Sequence, residues 1–121
     1  MKKILLVDDE TDLRTVVKMR LEVEGYKVII GSNGKECLER AQEEMPDLII
    51  LDIMMPIMDG YTALKHLKED QELARIPVII FSIKEKVKME GLFITDIVED
   101  YIEKPFETED LIVKVKRILG E

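Results

Sequence analysis

One cysteine, Cys37, stands in the whole chain, so no internal disulfide can form, and a reducing cytoplasm suits the sequence. No apolar stretch comes near the roughly 18 residues that a membrane-spanning helix needs. Lys2-Lys3 followed by an apolar run looks like the start of a signal peptide, but that run stops after four residues at Asp8-Asp9-Glu10, which excludes one. Basic charge is also short. The 18 Lys and Arg against 26 Asp and Glu leave a net charge of -8, and the cations are scattered, which argues against a nucleic-acid surface. Internal repeats, low-complexity tracts and linkers are missing as well. With 121 residues, 46% of them hydrophobic and 36% charged, the chain has enough apolar material for one core, so a single globular domain over 1–121 is expected.

What the chain does have is a repeated local pattern. Ile4-Leu5-Leu6-Val7 ends in Asp8-Asp9, Leu48-Ile49-Ile50-Leu51 in Asp52, and Val78-Ile79-Ile80-Phe81 in Ser82; a shorter segment over 100–103 ends in Lys104-Pro105. Runs of four apolar residues read as strands buried on both faces, as in a parallel sheet. A further short strand is expected over 27–30, before the turn Gly31-Ser32-Asn33-Gly34. Helical spacing connects Leu13, Val16, Val17 and Leu21 ahead of Gly25, and Cys37, Leu38, Ala41 and Met45 ahead of Pro46. It returns at Ala63, Leu64 and Leu67, and in a last helix with Leu111, Ile112, Val115, Ile118 and Leu119 inward and Thr108 as N-cap. The stretch over 83–99 is expected to hold one helix and a loop, with Gly91 breaking the pattern. That makes five βα units, and right-handed crossovers put helices on both faces of one parallel sheet. The first strand begins at residue 4 and the last helix ends at Leu119, as in a single-domain protein or one cut at a domain edge.

In such a sheet ligands sit outside the carboxyl ends of the strands. Asp8, Asp9, Asp52, Ser82 and Lys104 therefore converge on one crevice. Two unit charges ~4 Å apart repel by about 4 kcal/mol at an effective dielectric of ~20, so three carboxylates there call for a cation. Oxygen donors with open water positions suit Mg²⁺. A carboxylate can also be the nucleophile of phosphoryl transfer, forming an aspartyl phosphate. Asp52, on the middle strand, is placed for that role. Asp8 and Asp9 then hold the metal, with the Met54 backbone carbonyl as a further donor because the loop after Asp52 must fold back over the strand ends. Ser82 donates a hydrogen bond to the phosphoryl group, and Lys104, a point charge, pairs with another of its oxygens.

Val7-Asp8-Asp9-Glu10, Asp52-Ile53-Met54-Met55-Pro56-Ile57-Met58-Asp59-Gly60, Ser82 and Lys104-Pro105-Phe106 occur in that order, each at a strand end. They are spaced 43 residues from Asp9 to Asp52, 30 from Asp52 to Ser82 and 22 from Ser82 to Lys104. Together they resemble the receiver domain of two-component response regulators, the CheY-like superfamily, over essentially the whole chain. The resemblance implies a flavodoxin-like sandwich with five parallel strands in the order 2-1-3-4-5. It implies Mg²⁺-dependent phosphorylation of Asp52 by a sensor histidine kinase or phosphotransfer protein, and a cis peptide before Pro105. It also implies a two-state switch. Phosphorylation adds charge and acceptor oxygens, Ser82 moves toward them, and Tyr101 turns inward. The face built from the fourth and fifth helices and the fifth strand is then read by a protein partner, the chain itself being a monomer or a phosphorylation-dependent dimer. Such a domain is cytoplasmic, engages neither membrane nor nucleic acid, and catalyses only its own phosphorylation and dephosphorylation. The chain departs from the family pattern at Ile83, where a small residue is usual, and at Ile97-Val98, where a Gly-Ala pair is common.

Other readings of the same residues are weaker. A phosphatase of the haloacid dehalogenase type needs D-x-D-x-T after its first strand, whereas Asp8-Asp9-Glu10-Thr11-Asp12 stands here, and no cap domain exists to shape a substrate pocket. A non-phosphorylated interaction module would not need Asp8, Asp9, Asp52, Ser82 and Lys104 together. A DNA-binding regulator would need a further domain, since these residues contain no helix-turn-helix. Asp59-Gly60 reads as a turn and helix start outside the site, His66 as a surface side chain and Cys37 as a packed apolar one.

Overall fold

Each apolar run turns its odd and even residues to opposite faces of a sheet, so each run needs cover on both sides. A computed structural model, which describes residues 1–81 and 98–121 and the backbone of 88–89 and 92–93, shows how that cover is arranged. The order is β1 (Lys3–Val7), α1 (Thr11–Val23), β2 (Lys27–Gly31), α2 (Gly34–Glu44), β3 (Leu48–Asp52), α3 (Gly60–Glu69), β4 (Val78–Phe81), β5 (Lys88–Met89), β6 (Leu92–Phe93), β7 (Asp100–Ile102) and α4 (Thr108–Leu119). Five strands form one parallel sheet in the order β2-β1-β3-β4-β7. Counted along the sheet's own strands this is 2-1-3-4-5, the expected flavodoxin-like arrangement.

One face carries Leu5, Val7, Ile49, Leu51, Val78 and Ile80, covered by Cys37 and Ala41 of α2 and by Ala63, Leu64 and Leu67 of α3. The other carries Ile4, Leu6, Leu48, Ile50, Ile79 and Phe81, covered by Val17 and Leu21 of α1 and by Leu111, Ile112 and Val115 of α4. Charged side chains tie α1 to α4 at the rim. Arg20 bonds both Glu24 and Glu109, and Lys116 reaches Glu24 at 2.5 Å. Among the described residues no helix is long and apolar enough to cross a membrane.

The helix boundaries follow local chemistry. Gly25 ends α1 at φ +96°, a backbone that glycine adopts without strain. Asn33 caps α2 by accepting from Glu36 N at 2.9 Å, and Asp59 caps α3 by accepting from Thr62 N at 2.8 Å. Three expectations change. Thr108 is the first residue of α4 and Glu107 precedes it, with no side-chain cap bond. Val16 is 53% exposed, because adjacent helical residues point about 100° apart and Val17 takes the inward place. The third concerns 83–99, where the described parts, β5 and β6, form a two-stranded antiparallel ladder rather than a helix. Residues 82–87, 90–91 and 94–97, with Ser82, Ile83 and whatever part of the expected fourth helix falls on them, lie outside the described residues.

Gly60 links the fold to the strand end that matters most. Its N–H donates to Ile53 O at 2.8 Å. A Cβ there would overlap the carbonyl oxygen of Asp52 and stand 2.7 Å from Ile53 Cα. Backbone cannot give way as a side-chain tip can, so Gly60→Ala is expected to lower unfolding free energy by about 2–3 kcal/mol in urea titration. An unchanged midpoint would show that the β3–α3 junction is loose.

Candidate functional site

Strand register builds the site. Val7 pairs with Leu51, so Asp8 leaves β1 beside Asp52 at the end of β3, and Asp52 in turn pairs with Phe81. Alternation places both acids on the face of Leu6, Ile50 and Phe81. The crevice between β1 and β3 is where the winding of the sheet reverses, the place where open α/β sheets hold ligands. Both acids are deeply set, Asp8 at 0% and Asp52 at 2% exposure.

Asp8 is fixed from α1. Its Oδ1 accepts from the backbone N–H of Glu10 at 2.8 Å, and its carbonyl accepts from Arg14 Nη1 at 2.9 Å. Lys104 arrives from β7, two residues beyond buried Ile102. Its ammonium donates to Glu10 Oε1 at 2.9 Å, to Asp8 Oδ2 at 3.0 Å and to Asp52 Oδ2 at 3.4 Å. The same nitrogen lies 5.7 Å from the centre of the Phe81 ring, which packs on Phe106 at 5.0 Å between centroids. The second oxygen of Asp52, Oδ1, is buried and has no hydrogen-bond partner among the described residues. An unpaired buried oxygen of this kind costs free energy until something binds it.

Electrostatics follow from this crowding. Burial raises the Asp8 carboxyl above its ordinary value and the charge of Asp52 adds to that, although the Glu10 N–H and the Lys104 ammonium pull the other way. Burial alone would lower Lys104. Hydrogen bonds to Glu10 and Asp8 and the charges of Asp52 and Asp8 outweigh it and hold the ammonium at about 12.

The structure thus brings together Asp8, Asp52 and Lys104. Asp9 is exposed and does not join them. Glu10, bonded to Lys104, brings a carboxylate oxygen within 4.8 Å of those of Asp8 and Asp52. The reason is the period of an extended chain, in which residues two apart share a side and neighbours do not. That signal, Asp8-x-Glu10, was present in the sequence and was not read. Arg14 was also not anticipated. Met54 is 74% exposed in the loop after β3, and Tyr101 is 37% exposed on β7, facing out rather than into the core. The Lys104–Pro105 peptide is cis, as the resemblance implies. Ser82 lies outside the described residues.

The donor set fits a hard divalent cation. Among the described residues, carboxylate oxygens crowd together, one buried oxygen is unpaired, and a single ammonium faces three acids.

Comparison with known proteins agrees with this geometry. Residues 4–116 match the response regulator receiver domain, and the chain belongs to that family. It is 39% identical over 118 residues to the alkaline phosphatase synthesis transcriptional regulatory protein PhoP of Bacillus subtilis, covering 98% of this chain and 48% of that protein. The chain spans about half the length of the curated relatives it matches. Among solved structures, the receiver domain of a sensor histidine kinase from Pseudomonas aeruginosa, with a magnesium ion coordinated in its active-site cleft, superimposes with a TM-score of 0.86 at 26% identity, over 99% of this chain and 98% of that one. The response regulator TrrA of Thermotoga maritima, in complex with Mg²⁺ and BeF, gives 0.84 at 29% identity, over 98% of this chain and 99% of that one.

Removing the ammonium leaves buried carboxylates facing one another. With divalent cations chelated, Lys104→Met is expected to destabilise the chain by about 2 kcal/mol, below the roughly 3–5 kcal/mol of a fully buried pair because the amine is partly solvated. Urea unfolding in EDTA checks this, and a stability equal to the parent would mean that Lys104 does not balance the acids.

Proposed function

We propose that this chain is a phospho-accepting switch, in which Asp52 takes a phosphoryl group from the phosphohistidine of a sensor kinase or phosphotransfer protein. The observation that carries the reading is the unpaired buried Oδ1 of Asp52 inside a carboxylate cluster bridged by one lysine. Asp8, Asp9, Asp52 and the Met54 carbonyl would hold Mg²⁺. Asp9 is the exposed member and turns in from the crevice mouth, while Glu10 stays with Lys104. When bound, the cation neutralises the acids and the oxygens of the transferring group.

The protein's own residues position and balance. An Asp52 oxygen attacks phosphorus in line with the P–N bond of the donor imidazole. As the P–O bond forms, the P–N bond breaks and its electron pair stays on the ring nitrogen. Lys104, already 3.4 Å from Asp52 Oδ2, is placed to follow the new negative charge. Ser82, next after Phe81 at the end of β4, is the hydroxyl donor to the same group. Tyr101, now outward on β7, is the aromatic that turns in, and the surface around β7 and α4 passes the change to a protein partner. The chain acts on itself alone and does not turn over a substrate. Its place is the cytoplasm, with its kinase.

Two measurements test this. Acetyl phosphate with Mg²⁺ is expected to add one phosphoryl group, read by intact mass, and Asp52→Asn or chelation abolishes the addition. Labelling that survives either change contradicts the assignment. Asp9→Ala is expected to weaken Mg²⁺ binding by about tenfold or more, the range for loss of a group at a metal site. Unchanged affinity by calorimetric titration removes Asp9 from the site.

A further inference from the structure

Three carboxylates hold Lys104, and they are not equivalent. Asp8 and Asp52 are side chains at strand ends with almost no exposure. Glu10 sits at the residue before α1, in extended backbone, and its side chain is 60% exposed. Yet Glu10 makes the shortest contact with the ammonium, 2.9 Å against 3.0 Å for Asp8 and 3.4 Å for Asp52. The acid that is to carry the phosphoryl group therefore has the loosest hold on the amine that is to bind it. Only Glu10 among the three has solvent into which to withdraw.

We propose that Glu10 is a latch on Lys104. In the resting chain its carboxylate keeps the ammonium at the outer side of the crevice, and Lys104 must exchange this partner for an oxygen of the group on Asp52. Glu10 is thus a positioning residue that acts through Lys104 and sets the resting end of the switch. The inference rests on the phosphoryl chemistry proposed for Asp52. The geometry makes it separable from a purely structural role. Glu10 supports Asp8 through its backbone N–H, at 2.8 Å, which a side-chain change leaves in place. Glu10→Gln keeps the length and an acceptor oxygen and removes only the charge that competes for the ammonium.

The test uses beryllofluoride, a phosphoryl mimic, titrated at saturating Mg²⁺ into the parent, Glu10→Gln, Lys104→Met and the double variant, with Mg²⁺ alone titrated in parallel. Loss of a partly exposed ion pair predicts that Glu10→Gln binds beryllofluoride roughly two- to fivefold more tightly than the parent. Its affinity for Mg²⁺ alone stays within about threefold, the effect of one partly solvated charge nearby. The gain disappears in the Lys104→Met background, as a coupled pair requires. Equal or weaker beryllofluoride binding by Glu10→Gln overturns the latch, and so does a gain that persists without Lys104. A loss of about tenfold or more in Mg²⁺ affinity makes Glu10 a metal ligand and overturns it too. If the parent itself fails to bind beryllofluoride, the phosphoryl reading falls and the latch falls with it, whereas the other outcomes leave that reading standing.

Discussion

An imbalance of charge in a dry crevice governs this molecule. Asp8 and Asp52 are buried side by side, and among the described residues a single ammonium, Lys104, bridges them and Glu10. Buried charges are tolerated only when paired, and here the pairing is incomplete, with one Asp52 oxygen unmatched among the described residues. The incomplete pairing suits a cation. A fully satisfied network would have nothing to gain from one.

The fold exists, in effect, to hold two carboxylates where they would not stay unaided. Parallel register between β1 and β3 sets Asp8 beside Asp52, and pairing of β3 with β4 puts the Phe81 ring under the amine. Helices on both faces exclude water from the strands. The close approach of Gly60 to the Asp52 backbone and the grip of Arg14 on the Asp8 carbonyl fix the two strand ends from the helix side. The acids are thus held by the backbone, while Lys104 and Glu10 keep side-chain freedom. That division suits a switch, in which a fixed floor meets partners that can be exchanged.

Much of this was legible because the sheet is parallel and central. Four-residue apolar runs left little doubt about β1, β3 and β4, and the first polar residue after each marked the crevice. Asp8, Asp52 and Lys104 were found that way. What escaped lies where periodicity stops. Beyond Val7 the chain leaves the sheet, and the place of Glu10, two residues on and on the same side as Asp8, went unread. Thr108 favours an N-cap by chemistry, yet the helix starts on it because the inward positions Leu111, Ile112 and Val115 set its phase. Over 83–99 neither a two-residue nor a 3.6-residue period dominates, and the short β5–β6 ladder was not anticipated. Arg14 gave no signal, since a charged residue in a first helical turn is commonplace.

The central claim is that the crevice is short of positive charge and is completed by a divalent cation at Asp8 and Asp52. The most direct measurement is unfolding free energy by urea as a function of Mg²⁺ concentration, for the parent and for Asp52→Asn. For one site on the folded state, stability should rise once Mg²⁺ exceeds its dissociation constant, by about 2.7 kcal/mol at a hundredfold excess. Asp52→Asn should show a much smaller rise. Stability of the parent that does not change with Mg²⁺, or that rises equally in the variant, would contradict the account.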